Sequence, residues 1–261
     1  MPELPEVEST CRNVARWTTG RRVVALEVKD PSVLRTGDPA SVAGAEVGPV
    51  QRRAKLCLIP LGRSCLVVHL RMTGKLVRSE AGRRMPRLRL RLDDGTAVAF
   101  EDVRRLGQAW LVPAHALASF LSEHAPAPEP WPMPRDGAWL AAALAGKRGP
   151  VKPALMDGRR VAGIGNIGAS EACWRARVAP DRPVPGLRDA DWSALMSGVR
   201  AWIDDTLAAE VGEEIVYVQH GGPNPFKVYG RAGEPCPRCR SRLVRTVQSG
   251  RATFLCTRCQ Q

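Results

Sequence analysis

At 261 residues the chain has room for one large domain or two modest ones, and its hydrophobic (44%) and charged (25%) contents are ordinary for a globular protein. Thirty-nine Lys and Arg against 26 Asp and Glu leave a formal charge of +13, an excess that points to a polyanionic partner and says nothing about fold. No apolar run approaches the roughly 20 residues that span a bilayer, and the N-terminus lacks the basic and apolar stretches of a secretory signal, so a cytoplasmic protein with no membrane partner is expected.

From Pro5 to about Trp17 the apolar positions Val7, Cys11, Val14 and Ala15 recur at helical spacing, and Gly20 follows as a stop. Pro5, Glu6 and Glu8 suit a first helical turn, where carboxylates complement the helix dipole. Between Arg22 and Val112 short apolar runs (VVALEV, KLCLIPL, CLVVHLRM, LRLRL, AVAF, AWLV) alternate with turn signals such as LGRS and DDGT. This texture predicts an antiparallel sheet with basic residues on one face. The stretch HAPAPEPWPMP, residues 124–134, carries five alternating prolines and reads as a semi-rigid spacer at a domain boundary. Beyond it DGAWLAAALAG and the run Trp192, Leu195, Met196, Val199, Trp202, Ile203, Leu207 follow the helical period, so an all-helical segment is expected.

The C-terminal module holds two CxxC knuckles, Cys236/Cys239 and Cys256/Cys259, separated by a hairpin-length insert. Four thiolates at this spacing predict a structural Zn2+ with no open coordination position. Cys11, Cys57, Cys65 and Cys173 stand singly within apolar segments, as buried cysteines do. Basic residues around the knuckles suit a phosphate backbone. The hexapeptide GIGNIG, residues 163–168, satisfies G-x-G-x-x-G, but the basic KPALMDGRRVA before it is no buried strand, so a nucleotide cofactor is not expected. A glycine-rich turn opening a helix suits a phosphate instead, with Asn166 adding a side-chain donor.

Pro2 is not explained by helix capping. Removal of the initiator leaves its secondary amine first in the chain. A generic α-amino group has a pKa of about 7.7–8.0, so about a tenth is neutral at pH 7, against well under a thousandth of a lysine. Such an amine is a ready nucleophile for a sugar C1′, giving an iminium intermediate. Glu3 stands beside it to move a proton, and Glu6 to order the pocket.

With MPELPEVE at the start, QRRAK at 51–55, HLRMTGKL at 69–76, EDVRRLG at 101–107, KPALMD at 152–157, GIGNIGASE at 163–171, VYGRAGEPC at 228–236 and RATFLC at 251–256, the chain resembles the formamidopyrimidine-DNA glycosylase and endonuclease VIII family over essentially its full length. The resemblance implies a multidomain α+β fold: an N-terminal helix with an antiparallel β-sandwich, a helix-two-turn-helix domain, and a C-terminal four-cysteine zinc ribbon. The expected boundaries are 1–120, a proline-rich linker at 121–135, 136–226 and 227–261.

It also implies roles. Pro2 would be the nucleophile and Glu3 the general acid/base, with Lys55 near the target nucleotide. Met72 and Arg104 would fill the hole left by an everted base, with Leu106 as a wedge, and His69, Asn166, Tyr229 and Arg251 would contact phosphates. Lys152, opening KPALMD, joins the DNA-binding set. Three departures stand out: Leu106 replaces the family's usual phenylalanine, Gly168 its tyrosine, and the stretch 213–227 is shorter than the base-covering segment of 8-oxoguanine-specific members. The expected partner is duplex DNA with damaged bases or abasic sites, bound by a monomer in a bacterial cytoplasm, at the nucleoid. A non-catalytic reader of damaged DNA is the rival; it has no need of a terminal secondary amine.

Overall fold

The computed structural model describes residues 2–79, 86–210, 212 and 224–261. It divides into two compact units, Met1–His124 with Glu210–Pro223, and Ala125–Ala209 with Asn224–Gln261.

The first unit begins with helix α1, Leu4–Thr18, whose Val7, Cys11 and Val14 face inward at 0–4% exposure. The helix stops where Thr19 N–H bonds the Ala15 carbonyl and Gly20 turns to φ +78°. Two antiparallel four-stranded sheets follow. One orders β1 (Val23–Val28), β6 (Leu88–Leu92), β7 (Ala97–Glu101) and β5 (Lys75–Ser79); the other orders β2 (Gln51–Arg53), β3 (Leu56–Leu61), β4 (Ser64–His69) and β8 (Gln108–Pro113). In LRLRL the leucines are buried at 1–2% and Arg91 is exposed, which bears out the alternation read from the sequence. The inward residues of both sheets and α1 form one core around Phe100, Leu66, Leu70 and Val68. Each such side chain contributes about 1.5–3 kcal/mol of transfer free energy.

Helix α2, Leu117–His124, has no buried residue. Its short apolar stripe, Leu117, Phe120 and Leu121, is only half-buried; Phe120 stacks on His124 at 3.9 Å and meets Trp110 edge-on at 5.5 Å.

In the second unit the proline-rich stretch packs by alternation, with Ala125, Ala127 and Pro130 buried and Pro126 and Pro128 exposed. Helices α3 (Gly137–Ala143), α4 (Val151–Leu155), α5 (Asn166–Ala176) and α6 (Asp189–Ala209) follow, and then the hairpin β9 (Val244–Gln248) and β10 (Arg251–Leu255). Along α6 the residues Trp192, Leu195, Met196, Val199, Trp202 and Ile203 are all buried. No helix of the described residues is long and apolar enough to cross a membrane.

Candidate functional site

In the first unit α1 places Pro2 and Glu3 at its start, both buried, with Glu3 at 0% exposure. The Glu3 N–H donates to Glu6 Oε2 at 2.9 Å in a capping box, so the two carboxylates are fixed one helical turn apart. Burial, then the neighbouring Glu3 charge, raises the Glu6 pKa to about 7. Around neutrality Glu6 is therefore poised between its acid and carboxylate forms.

Lys55 ends the two-residue turn joining β2 to β3, opposite Ala54 at φ +53°. Arg52, its side chain 3% exposed, holds that turn by donating to the Ala54 carbonyl at 3.1 Å, and pairs with Glu8 Oε2 of α1 at 3.0 Å. The helix that carries Pro2 and the turn that carries Lys55 thus share one buried guanidinium.

His69 closes β4. Its Nδ1 accepts the Arg71 N–H at 3.0 Å, leaving the proton on Nε2. Burial, then the Arg71 and Lys55 charges, lowers its pKa to about 3, so the ring is a neutral donor at physiological pH. Met72 lies half-buried in the turn after Leu70, outside the sandwich core. Arg104 and Leu106 occupy the turn between β7 and β8; Leu106 is 43% exposed and Val103 is 92% exposed.

The second unit gathers another set. Lys152, in α4 and fully buried, donates Nζ–H bonds to Asn166 Oδ1 at 2.6 Å, Thr253 Oγ1 at 2.9 Å and the Ala252 carbonyl at 3.5 Å. Asn166 Nδ2 in turn donates to the Ala252 carbonyl at 2.9 Å and to the Tyr229 hydroxyl at 3.3 Å. Lys152, Asn166 and Tyr229 therefore meet at β10, whose first residue is the exposed Arg251. Asn166 is the first residue of α5, so the helix starts inside GIGNIG, and the preceding segment is helix α4 and turns rather than the strand a dinucleotide fold needs.

Gly168 sits where α5 crosses α6. A Cβ there would fall 2.5 Å from the Trp202 ring, so the missing family tyrosine is answered by an indole from the neighbouring helix. Of the short stretch 213–227, residues 213–223 lie outside the described residues.

Two partners were not legible in the sequence. Thr253 supplies an acceptor to Lys152, and Glu171, fully buried, accepts the backbone N–H groups of Lys227, Val228 and Tyr229 at 2.9–3.0 Å, fixing Tyr229 from α5. Their only sequence signal is membership of RATFLC and GIGNIGASE.

Cys236, Cys239, Cys256 and Cys259 place their sulfurs within 4.8 Å of one another, the only group of at least three such ligands found among the described residues. Pairs at 3.4 and 3.9 Å bracket the S···S edge of about 3.8 Å that a tetrahedron of Zn–S bonds near 2.3 Å requires. The residues fit one structural zinc ion.

Residues 1–109 match the formamidopyrimidine-DNA glycosylase N-terminal domain, residues 127–217 the formamidopyrimidine-DNA glycosylase H2TH domain, and residues 233–261 the zinc finger found in FPG and IleRS. The formamidopyrimidine-DNA glycosylases of Acidiphilium cryptum and Paracoccus denitrificans are 37% and 38% identical, each alignment covering 100% of both chains. Among solved structures, Lactococcus lactis Fpg bound to DNA containing N7-benzyl-Fapy-dG superposes with a TM-score of 0.90 at 25% identity, covering 100% of both chains. The Fpg (MutM) protein of Thermus thermophilus gives 0.85 at 31% identity, covering 99% of this chain and 98% of its own. Three consecutive domain matches, in the order of the fold described above, place this chain in the formamidopyrimidine-DNA glycosylase family.

Proposed function

We propose that the chain is a bifunctional DNA glycosylase and apurinic/apyrimidinic lyase that removes oxidised or ring-opened bases from duplex DNA in base-excision repair. The observation that carries this reading is the start of α1. A proline stands at the second position, directly before a fully buried glutamate hydrogen-bonded to a second carboxylate whose pKa is about 7. The capping box accounts for the Glu3–Glu6 hydrogen bond, but capping gives no reason for a proline directly before it.

The chemistry follows from those groups. With Met1 removed, the Pro2 nitrogen attacks C1′ and the C1′–base bond breaks, the base leaving with a proton. Glu3 protonates the sugar ring oxygen, which opens the ring and leaves an iminium between Pro2 and C1′. The iminium acidifies the C2′ proton. Its loss expels the 3′ phosphate, and a second elimination expels the 5′ phosphate; water then releases Pro2. Glu6 orders Glu3 and buffers the proton, while Lys55 holds the target nucleotide.

A duplex shields C1′, so the nucleotide must leave the stack at a cost of a few kcal/mol. Met72 and Arg104 fill the vacancy, and Leu106 supplies an aliphatic wedge in place of an aromatic one. His69, Asn166, Tyr229 and Arg251 take phosphates, which fixes register without reading sequence; Lys152, expected in that set, is fully buried with its ammonium bonded to Asn166, Thr253 and the Ala252 carbonyl, so it orients Asn166 instead. The work divides as catalysis in 1–120, a linker at 121–135, DNA binding in 136–226 and the zinc finger in 227–261. The named relatives are bacterial, and we place the protein on nucleoid DNA.

The test is single-turnover incubation with duplexes carrying formamidopyrimidine, hydantoin, 8-oxoguanine or oxidised-pyrimidine lesions, following base release and strand cleavage separately. Release followed by cleavage supports the reading. Tight binding to all lesions with no release would leave only a reader of damaged DNA.

A further inference from the structure

Two turns of the first unit, 71–74 after β4 and 102–107 between β7 and β8, are built as one piece. The Thr73 hydroxyl donates to Asp102 Oδ1, and its oxygen accepts the Arg104 backbone N–H at 3.2 Å. Asp102 also accepts the Gly107 N–H at 2.6 Å, closing the second turn on itself. Both turns rest on one ring: a Cβ at Gly74 would lie 2.8 Å from Phe100 Cε2, and one at Gly107 2.5 Å from Phe100 Cζ. Neither turn can shift toward the core, because Phe100 is fully buried and close-packed.

A buried guanidinium fastens the assembly from beneath. Arg87, its side chain 7% exposed, donates to Asp102 Oδ2 at 3.4 Å, the Gly107 carbonyl at 3.0 Å, Ser32 Oγ at 3.0 Å and Asp30 Oδ2 at 2.9 Å. Asp30 Oδ2 also takes Arg105 at 2.8 and 3.2 Å. The clamp holds backbone that would otherwise relax. Arg71 and Arg105 adopt φ +57° and +54°, left-handed conformations that cost an L-residue about 1–2 kcal/mol each.

We infer that Thr73 and Asp102 are positioning residues, the Thr73 hydroxyl linking Arg104 N–H to the Asp102 carboxylate so that Met72, Arg104 and Leu106 enter the duplex as one preformed double turn. This rests on the glycosylase reading above and adds to it. A plug entering a base stack gains most when its own ordering is complete beforehand, since each side chain or turn ordered on contact subtracts from the energy that offsets unstacking. The hydroxyl is what makes the two turns one body: it belongs to the first turn and bonds both the backbone of the second turn and the carboxylate at its base.

The test compares Thr73→Val, which keeps the shape and removes both hydrogen bonds, with Thr73→Ser, which keeps both. Single-turnover rate constants are measured on the lesion that the wild type excises fastest and on a preformed abasic site. Rate constants do not depend on the folded fraction, which the amplitude reports. The decisive quantity is the ratio of base excision to abasic cleavage. Thr73→Val is expected to lower it about tenfold and Thr73→Ser to leave it near the wild-type value.

A fall of less than about threefold for Thr73→Val, or an equal fall for Thr73→Ser, overturns the inference; so does a loss of both activities together, which marks a general structural fault. Should Thr73→Val fail to fold, Asp30→Asn, which loosens Arg105, must lower the same ratio in the same direction, and an unchanged ratio overturns the inference. A wild-type protein that neither excises nor cleaves sinks the glycosylase reading itself, and this inference with it.

Discussion

The two units hold the side chains proposed to serve DNA binding in place by different means. In the sandwich a continuous apolar core and a buried ionic network, Arg87 with Asp30 and Asp102, fix the turns that carry Met72 and Arg104. In the second unit the buried Lys152 donates to Asn166, Thr253 and the Ala252 carbonyl, and the hairpin bearing Arg251 closes on a small cluster in which Cys236 and Cys256 are members. The first arrangement is complete in the chain alone. The second is conditional on a metal, because few apolar groups back the hairpin. Catalysis and DNA grip are therefore separable by perturbation.

The largest separation is expected from Pro2→Gly. It should slow base release by at least about a hundredfold while leaving duplex affinity within about twofold, measured by single-turnover excision and fluorescence anisotropy. Unchanged excision would remove the nucleophile from the first unit.

Zinc chelation should do the reverse of a catalytic substitution. The β9–β10 module unfolds and duplex affinity drops by about tenfold or more, while the sandwich keeps its own calorimetric transition. Full affinity in the apo-protein would show that the hairpin stands without its ion. Glu171→Gln should be milder, since one buried carboxylate oxygen that serves the three N–H groups of Lys227–Tyr229 becomes an amide; a loss of about 1–3 kcal/mol confined to the second unit's unfolding is expected.

The smallest effect concerns pH. The folded Glu6 pKa of about 7 lies above the ordinary 4.5, so between these values the folded state binds the extra proton and stability falls as pH rises. His69 works in the opposite direction: its folded value of about 3 lies below the ordinary 6.5, so stability falls as pH drops through that window. Glu6→Gln should remove the first slope and leave the second, read from denaturant melts between pH 4.5 and 7.5. An unaltered slope would mean that Glu6 is ionised throughout.

What the sequence disclosed follows from how local the signals are. Helix α1, β1 and β6 were readable because their apolar spacing is complete within each segment, and the zinc ligands because two CxxC pairs leave little other chemistry. Helix α2 escaped because it is eight residues long and its stripe of Leu117, Phe120 and Leu121 is no more than half-buried, and β5 because its first residues, Lys75 and Leu76, close a motif read for His69 and Met72. The clamp beneath the double turn was invisible for a different reason. Thr73, Asp102, Arg87 and Asp30 are brought together from positions up to 72 residues apart by the strand order β1-β6-β7-β5, which no window of sequence encodes. Gly168 was noticed as a departure, but its reason, the ring of Trp202, lies on another helix.

The central claim is that the Pro2 nitrogen forms the covalent bond to the sugar. Borohydride reduction during incubation with an abasic-site duplex, followed by proteolysis and mass spectrometry of the DNA-linked peptide, tests it directly. The account predicts a single adduct on a peptide that begins at Pro2. An adduct mapped to Lys55 or another lysine, or no adduct despite strand cleavage, would contradict it.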